Sequence, residues 1–223
     1  MKLTTEQIQE IEDTLSLNGL VYDDIKLEVL DHIASEIENK RSLENRSFEE
    51  TLKAVFENWK EELKPTTYSF TLGNHIIGPK IFMDKMANNI IKHLKIGGMM
   101  VLLITAVIIG VYKFTLNTSI LFIAENVLTI LTLIGSILLL GVKLFLSKSV
   151  IKTSYKFRFN RGFYLTIVYG ISRGLGAFPV LRNNEKLLSY SFTFAFGIIV
   201  LLLVANSLRL AYQHFQFEKK YAN

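Results

Sequence analysis

The chain has 223 residues, half of them hydrophobic, no cysteine, and a formal net charge of +5. Without cysteine there are no disulfides and no thiolate metal sites. The charge is split along the chain. Positions 1–64 hold 16 of the 20 acidic residues against 8 Lys and Arg, while positions 65–223 hold 17 Lys and Arg against only Asp84, Glu125, Glu185 and Glu218. The two parts therefore carry about −8 and +13. The long apolar runs lie in the basic part, so its bases read as membrane-topology signals, and no nucleic-acid partner is expected.

Residues 1–6 contain no apolar h-region, so a cleavable signal peptide is not expected. Thr4 with Gln7 forms a capping-box pattern, and Ile8, Ile11 and Leu15 follow at helical spacing, with Asn18-Gly19 as a left-handed stop. A second helix is expected from Asp23, whose neighbour Asp24 adds a second acid suited to the positive helix N-terminus. Ile25, Val29, Ile33 and Ile37 form its apolar stripe, widened by Leu30 and Ala34. Ser47 with Glu50 is a second capping box, and Leu52, Val55, Phe56, Trp59 and Leu63 form an apolar face that Pro65 ends. Residues 1–64 thus read as an acidic, cytosolic three-helix domain. A unit of that size is marginal alone and is expected to dock on a partner.

Leu27-Glu28-Val29-Leu30-Asp31-His32-Ile33, followed by the helix start Ser47-Phe48-Glu49-Glu50, resembles the HAAS-type signalling module. The resemblance covers roughly a quarter of the chain, on short motifs. It implies a small helical N-terminal domain fused to transmembrane helices, acting through protein contacts with a PadR-like transcriptional regulator as partner. Glu28, Asp31, His32 and Glu36 are the candidate interaction residues. Glu28, His32 and Glu36 lie one turn apart and could face a divalent metal, but a solvated acidic face is the plainer reading. No metal and no cofactor are expected.

Residues 65–95 read as a linker and an amphipathic interfacial helix. Tyr68–Leu72 alternates briefly and is expected to be extended, and Gly78-Pro79 opens a helical segment. Ile81, Phe82, Met86, Ile90, Ile91 and Leu94 are its apolar residues, and Lys80, Lys85, Lys92 and Lys95 its bases.

Residues 96–212 read as a four-helix transmembrane bundle, with spans near 96–116, 120–142, 162–181 and 187–208, followed by a tail at 213–223. The fold class is therefore all-α. Bases cluster at Lys80–Lys95, at Lys143–Arg161 and from Arg209 onward, and an even number of spans puts all three groups inside. Both termini are expected in the cytosol of a bacterial inner membrane. Tyr155, Phe157, Phe159, Phe163 and Tyr164, interleaved with bases, read as an interfacial belt.

Arg173 falls inside the third expected span, where a central Arg costs about 3 kcal/mol and needs a partner. Glu125, near the outer start of the second span, is the candidate for an intramembrane ion pair. Gly170 and Gly174 form a small-residue packing motif. Gly170-Ile171-Ser172-Arg173-Gly174 also matches G-x-S-x-G, but a nucleophile elbow needs a strand–turn–helix and a His, and no His lies in any expected span. No catalytic constellation is present, so an enzyme is not expected. The leading expectation is a multi-pass membrane protein that is regulatory or signals through protein contacts. Its expected partners are the bilayer, a protein (a transcriptional regulator or a membrane complex) and a second copy of itself in a homo-oligomer. Within the chain, acidic residues 23–38 could also dock on the basic 143–161 loop. The alternative is a small transporter or an accessory subunit of a transport complex, suggested by Arg173 and Glu125.

Overall fold

The computed structural model describes residues 2–71, 74–115, 118–176 and 187–221. These residues are mostly helical, with one antiparallel hairpin, and divide into two units. The first comprises Met1–Ile91 together with Lys152–Ser154, and the second comprises Lys92–Ile151 and Tyr155–Asn223.

The first unit contains α1 (Thr5–Leu17), α2 (Asp23–Glu44) and α3 (Phe48–Leu63). The Thr4 and Ser47 side chains each accept from the backbone N–H three residues on, and both capping boxes are complete. Gly19, at φ +84°, and Asn45, at φ 48°, take the left-handed conformations that end α1 and α2. The stripe Ile25, Val29, Ile33 and Ile37 is buried, with Ile11 and Leu15 of α1 and Val55 and Leu63 of α3 also buried. These helices supply one apolar stripe each, as amphipathic helices around a shared core do.

The unit does not stop at residue 64, where the sequence places its end. The expected extended linker is one arm of a hairpin, β1 (Pro65–Thr71) paired with β2 (Asn74–Pro79), in register from Pro65 opposite Pro79. The all-α expectation stands, with this one short hairpin added to the helices. Thr66, Thr67, Tyr68, Ile76 and Ile77 suit a pleated strand, and pairing satisfies backbone groups that a free linker would leave to water. The last residue of the expected linker, Leu72, lies outside the described residues. The start of α4 (Lys80–Thr115) contributes buried Phe82, Met83 and Met86, and the Tyr22 and Phe82 rings stack with centroids 4.6 Å apart. Lys80 pairs with Glu62 at 2.7 Å and with Asp84 at 3.4 Å.

Helix α4 is one continuous 36-residue helix, so the expected interfacial helix and first span are not separate elements. At 1.5 Å per residue it is about 54 Å long, well beyond a ~30 Å hydrocarbon core. The second unit holds the rest of α4, with α5 (Thr118–Lys148), α6 (Ser154–Gly174) and α7 (Leu187–Tyr221). Among the described residues, three helices are long and apolar enough to cross a membrane: Lys80–Val111, Phe122–Lys148 and Thr193–Tyr221. The third expected span, 162–181, is not one of them. Its helix starts early, at Ser154, and carries Lys156, Arg158, Arg161 and Arg173, which lower its apolarity. Residues 177–181 of that expected span lie outside the described residues.

Two apolar clusters hold this unit together. Leu139 and Leu146 of α5, Phe159 and Phe163 of α6, and Val204, Leu210 and Ala211 of α7 form one. Ile108 of α4, Leu128 of α5, and Phe194 and Ile198 of α7 form the other. Phe159 and Phe163 are therefore core residues rather than part of an interfacial belt, because α6 turns them toward α5 and α7; Tyr164 is exposed.

Candidate functional site

In the first unit the chemistry collects on α2. Its N-cap residue, Tyr22, makes no side-chain cap, which leaves the first N–H groups of the helix to find partners elsewhere. Asp23 N–H donates to Lys152 O at 2.8 Å, and Lys152 N–H donates back to Asp23 Oδ2 at 3.1 Å. Ser154 opens α6, so its N–H also lacks an intrahelical acceptor. It donates to Asp24 Oδ1 at 2.6 Å, and the Ser154 hydroxyl donates to Asp24 Oδ2. Burial pushes the Asp24 carboxyl above its ordinary value, against the hydrogen bonds from Ser154 and the positive charge of Lys85. Asp23 and Asp24 thus meet Lys152 and Ser154 through backbone, carboxylate and hydroxyl groups. Asp23, Asp24 and Ser154 carry this contact. The signal for Ser154 was the Thr153-Ser154 helix start directly after a lysine.

The four candidate interaction residues separate. Asp31 and His32 are exposed. Glu28 is exposed and pairs with Lys85. Glu36 faces α3, where its carboxylate accepts from Trp59 Nε1 at 3.0 Å and Asn58 Nδ2 at 3.3 Å and pairs with Lys40 at 2.9 Å. Burial opposes its charge, but the hydrogen bonds from Lys40, Trp59 and Asn58 outweigh burial and hold its carboxyl below the usual value. Glu28 and Glu36 are thus engaged within the chain, leaving Asp31 and His32 as the open part of the face. Among the described residues, no group of three or more His, Asp or Glu is arranged to hold a metal ion.

In the second unit, Arg173 and Glu125 are both buried, each side chain 3% exposed, and approach to 4.0 Å between Nη2 and Oε1. Arg173 Nη1 donates to Thr193 O at 3.0 Å. Among the described residues, both Glu125 oxygens, and Nε and Nη2 of Arg173, have no hydrogen-bond partner. At 4.0 Å and an effective dielectric of 20 the attraction is about 4 kcal/mol. Desolvation is several kcal/mol per ion, so the pair contributes little net stability, but removing one partner would strand the other.

Glycines set the packing around this pair. A Cβ on Gly170 would fall 1.9 Å from Ser136 Oγ, and one on Gly174 would fall 2.6 Å from Leu133 Cδ1, so both sit where α6 meets α5. Gly197 was not picked out from sequence, because a single glycine in an apolar run carries no local signal. A Cβ there would fall 2.7 Å from Arg173 Cζ and 2.5 Å from Leu128 Cδ2. Near the C-terminus of α7, buried His214 places Nε2 3.0 Å from Ser149 Oγ and 4.0 Å from a Glu218 oxygen.

In comparisons with known proteins, the chain matches no family model, no curated protein and no solved structure.

Proposed function

We propose that this chain is a regulatory membrane protein whose helical N-terminal unit is a cytosolic protein-interaction module. The observation that carries the proposal is the division of labour along α2. One face is buried, the N-terminal carboxylates hold Lys152–Ser154, and Asp31 and His32 stay open to solvent. A partner bound at Asp31 and His32 would act on the same rigid helix that grips the 152–154 segment. Partner binding and release of that segment can then be coupled. The resemblance to the HAAS-type module suggests a PadR-like transcriptional regulator as the partner, reached by protein contacts and without catalysis.

The proposal includes four passages of the bacterial inner membrane, with α6 as the least apolar, and both termini in the cytosol. In support, the base clusters at Lys80–Lys95, Lys143–Arg161 and Arg209–Lys220 then share one side.

The test is site-specific photo-crosslinking from position 32 of the full-length protein in membranes. A discrete soluble partner should be captured, and Asp31→Arg should abolish capture while leaving membrane insertion intact. Capture that persists in D31R, or that is equally strong from a probe on exposed Leu43, would overturn the proposed face.

A second reading, an accessory subunit of a transport complex, draws on the buried Glu125–Arg173 pair. Solute flux lost in a folded Arg173→Met variant, with capture at position 32 unchanged, would favour it.

A further inference from the structure

Among the described residues, Glu125 and Arg173 are the only Asp, Glu, Lys or Arg side chains buried in the second unit. Their surroundings treat them unequally. Arg173 keeps a hydrogen bond to Thr193 O at 3.0 Å, whereas neither Glu125 oxygen accepts one among the described residues. A carboxylate taken out of water is stable when donors replace its hydration. At Glu125 the guanidinium of Arg173 takes that part alone, from 4.0 Å, which is longer than a hydrogen bond.

The neighbouring elements bring no further charge. Leu128, one turn along α5 from Glu125, packs with Ile108 of α4 and with Phe194 and Ile198 of α7, and it borders Gly197 together with Arg173. Among the described residues, Arg173 is the one charged group that acts on Glu125. This arrangement selects its ligand. An anion would be repelled by Glu125, and a metal ion would be repelled by Arg173 and would need further oxygen ligands. A proton needs no cavity, and it turns a carboxylate that lacks donors into a neutral acid.

We propose that Glu125 is a reversible proton-binding site and that Arg173 reads its occupancy. With the proton off, the ion pair joins α5 to α6. With the proton taken up from solvent onto a Glu125 oxygen, Arg173 is left as a buried charge with one carbonyl acceptor, as it is when its partner is removed. The guanidinium then moves toward water and carries its neighbours on α6 with it. The site lies wholly in the second unit and is independent of the partner face at Asp31 and His32.

The test uses the chain's natural lack of cysteine. Full-length protein carrying Ser172→Cys or, separately, Leu175→Cys is reacted with maleimide in detergent from about pH 8 to about pH 4, a range that brackets an ordinary glutamic acid. A thiol reacts as its thiolate. Position 175 is exposed, so it corrects for the pH dependence of the reagent, and the ratio of rates at 172 and 175 reports water access beside Arg173. With Glu125 present the ratio should rise about threefold or more on acidification, as the open state becomes populated. Glu125→Gln, uncharged at every pH, should hold the ratio high throughout. A ratio that is flat with Glu125 present, or that in E125Q stays low or still follows pH, overturns the site. If E125Q fails to insert, Glu125→Asp takes its place. The shorter side chain should keep the response with its midpoint moved by about half a pH unit or more. An unmoved midpoint would assign the response to another group and overturn the site.

Discussion

The Arg173 guanidinium lies directly over Gly197, in the space where any larger residue would place its Cβ, 2.7 Å from Cζ. A residue on α6 and a residue on α7 are thereby bound to each other's size. Gly197→Ala is expected to destabilise the second unit by about 1–3 kcal/mol through overpacking. Gly98→Ala, where a Cβ would meet nothing within 4 Å, should be close to neutral or slightly stabilising. Thermal denaturation of both variants in one detergent checks this, and equal midpoints would contradict the packing.

The buried pair yields a coupling test. Glu125→Leu and Arg173→Met should each lower stability by about 3–5 kcal/mol, because each leaves an opposite charge buried without a partner. The double variant should recover most of that loss. A double-mutant cycle on folded yield after membrane extraction measures it, and simple additivity would mean that the two charges are energetically separate.

Gly170 and Ser136 should show compensation by size. The Ser136 hydroxyl is tied to Thr132 O at 2.8 Å, and the residue is buried, so it has little freedom to retreat from a new Cβ. Gly170→Ala is expected to destabilise by about 1–3 kcal/mol. Combining it with Ser136→Gly should restore part of the loss, less about 1 kcal/mol for glycine in a helix. The same detergent denaturation assay reports the outcome.

The first unit should lose stability in acid through Glu36. Its folded carboxyl lies below the ordinary 4.5, so its contribution is complete above that value and is lost as pH falls through the folded value. Trp59 is the only tryptophan of the chain and donates directly to Glu36, so its fluorescence reports the contact. Glu36→Gln should flatten the response below about pH 4.5. An acid transition of Trp59 emission that is identical in wild type and E36Q would show that other carboxyls govern it.

At the grip on residues 152–154, Asp24→Ala should free the segment, whereas Asp24→Asn keeps an acceptor for Ser154 N–H and should retain it. Limited proteolysis after Lys152 reads the difference, with D24A cut several times faster. Because these hydrogen bonds involve backbone groups, raising salt from 0.05 to about 0.5 M should change the wild-type rate little.

Local signals were legible in the sequence, and distant ones were not. The capping boxes at Thr4 and Ser47, the stop at Asn18-Gly19 and the stripe from Ile25 to Ile37 rest on residues within one or two turns, and each stands in the structure as read. The expense of Arg173 could be read from its apolar neighbours alone. The hairpin escaped notice because its two arms are short and each is ambiguous until paired. Ser154 and Gly197 escaped because their roles depend on residues far along the chain. Aromatics among bases have the same composition whether they face lipid or core, so sequence alone does not separate Phe159 and Phe163 from a belt. The third expected span rested on apolarity read over 162–181, whereas helix α6 begins at Ser154 and takes in bases that lower it, and its glycines at 170 and 174 pack on α5.

Asp24 and Ser154 are separated by 130 positions. Synthesis at about 5–20 residues per second puts on the order of ten seconds between their emergence from the ribosome. During that interval the nascent N-terminal helices wait with the start of α2 unsealed, while α4 and α5 are made. Completion of the first unit thus waits on residues made after α4 and α5, and a chain that stops before residue 154 would leave the start of α2 without these partners.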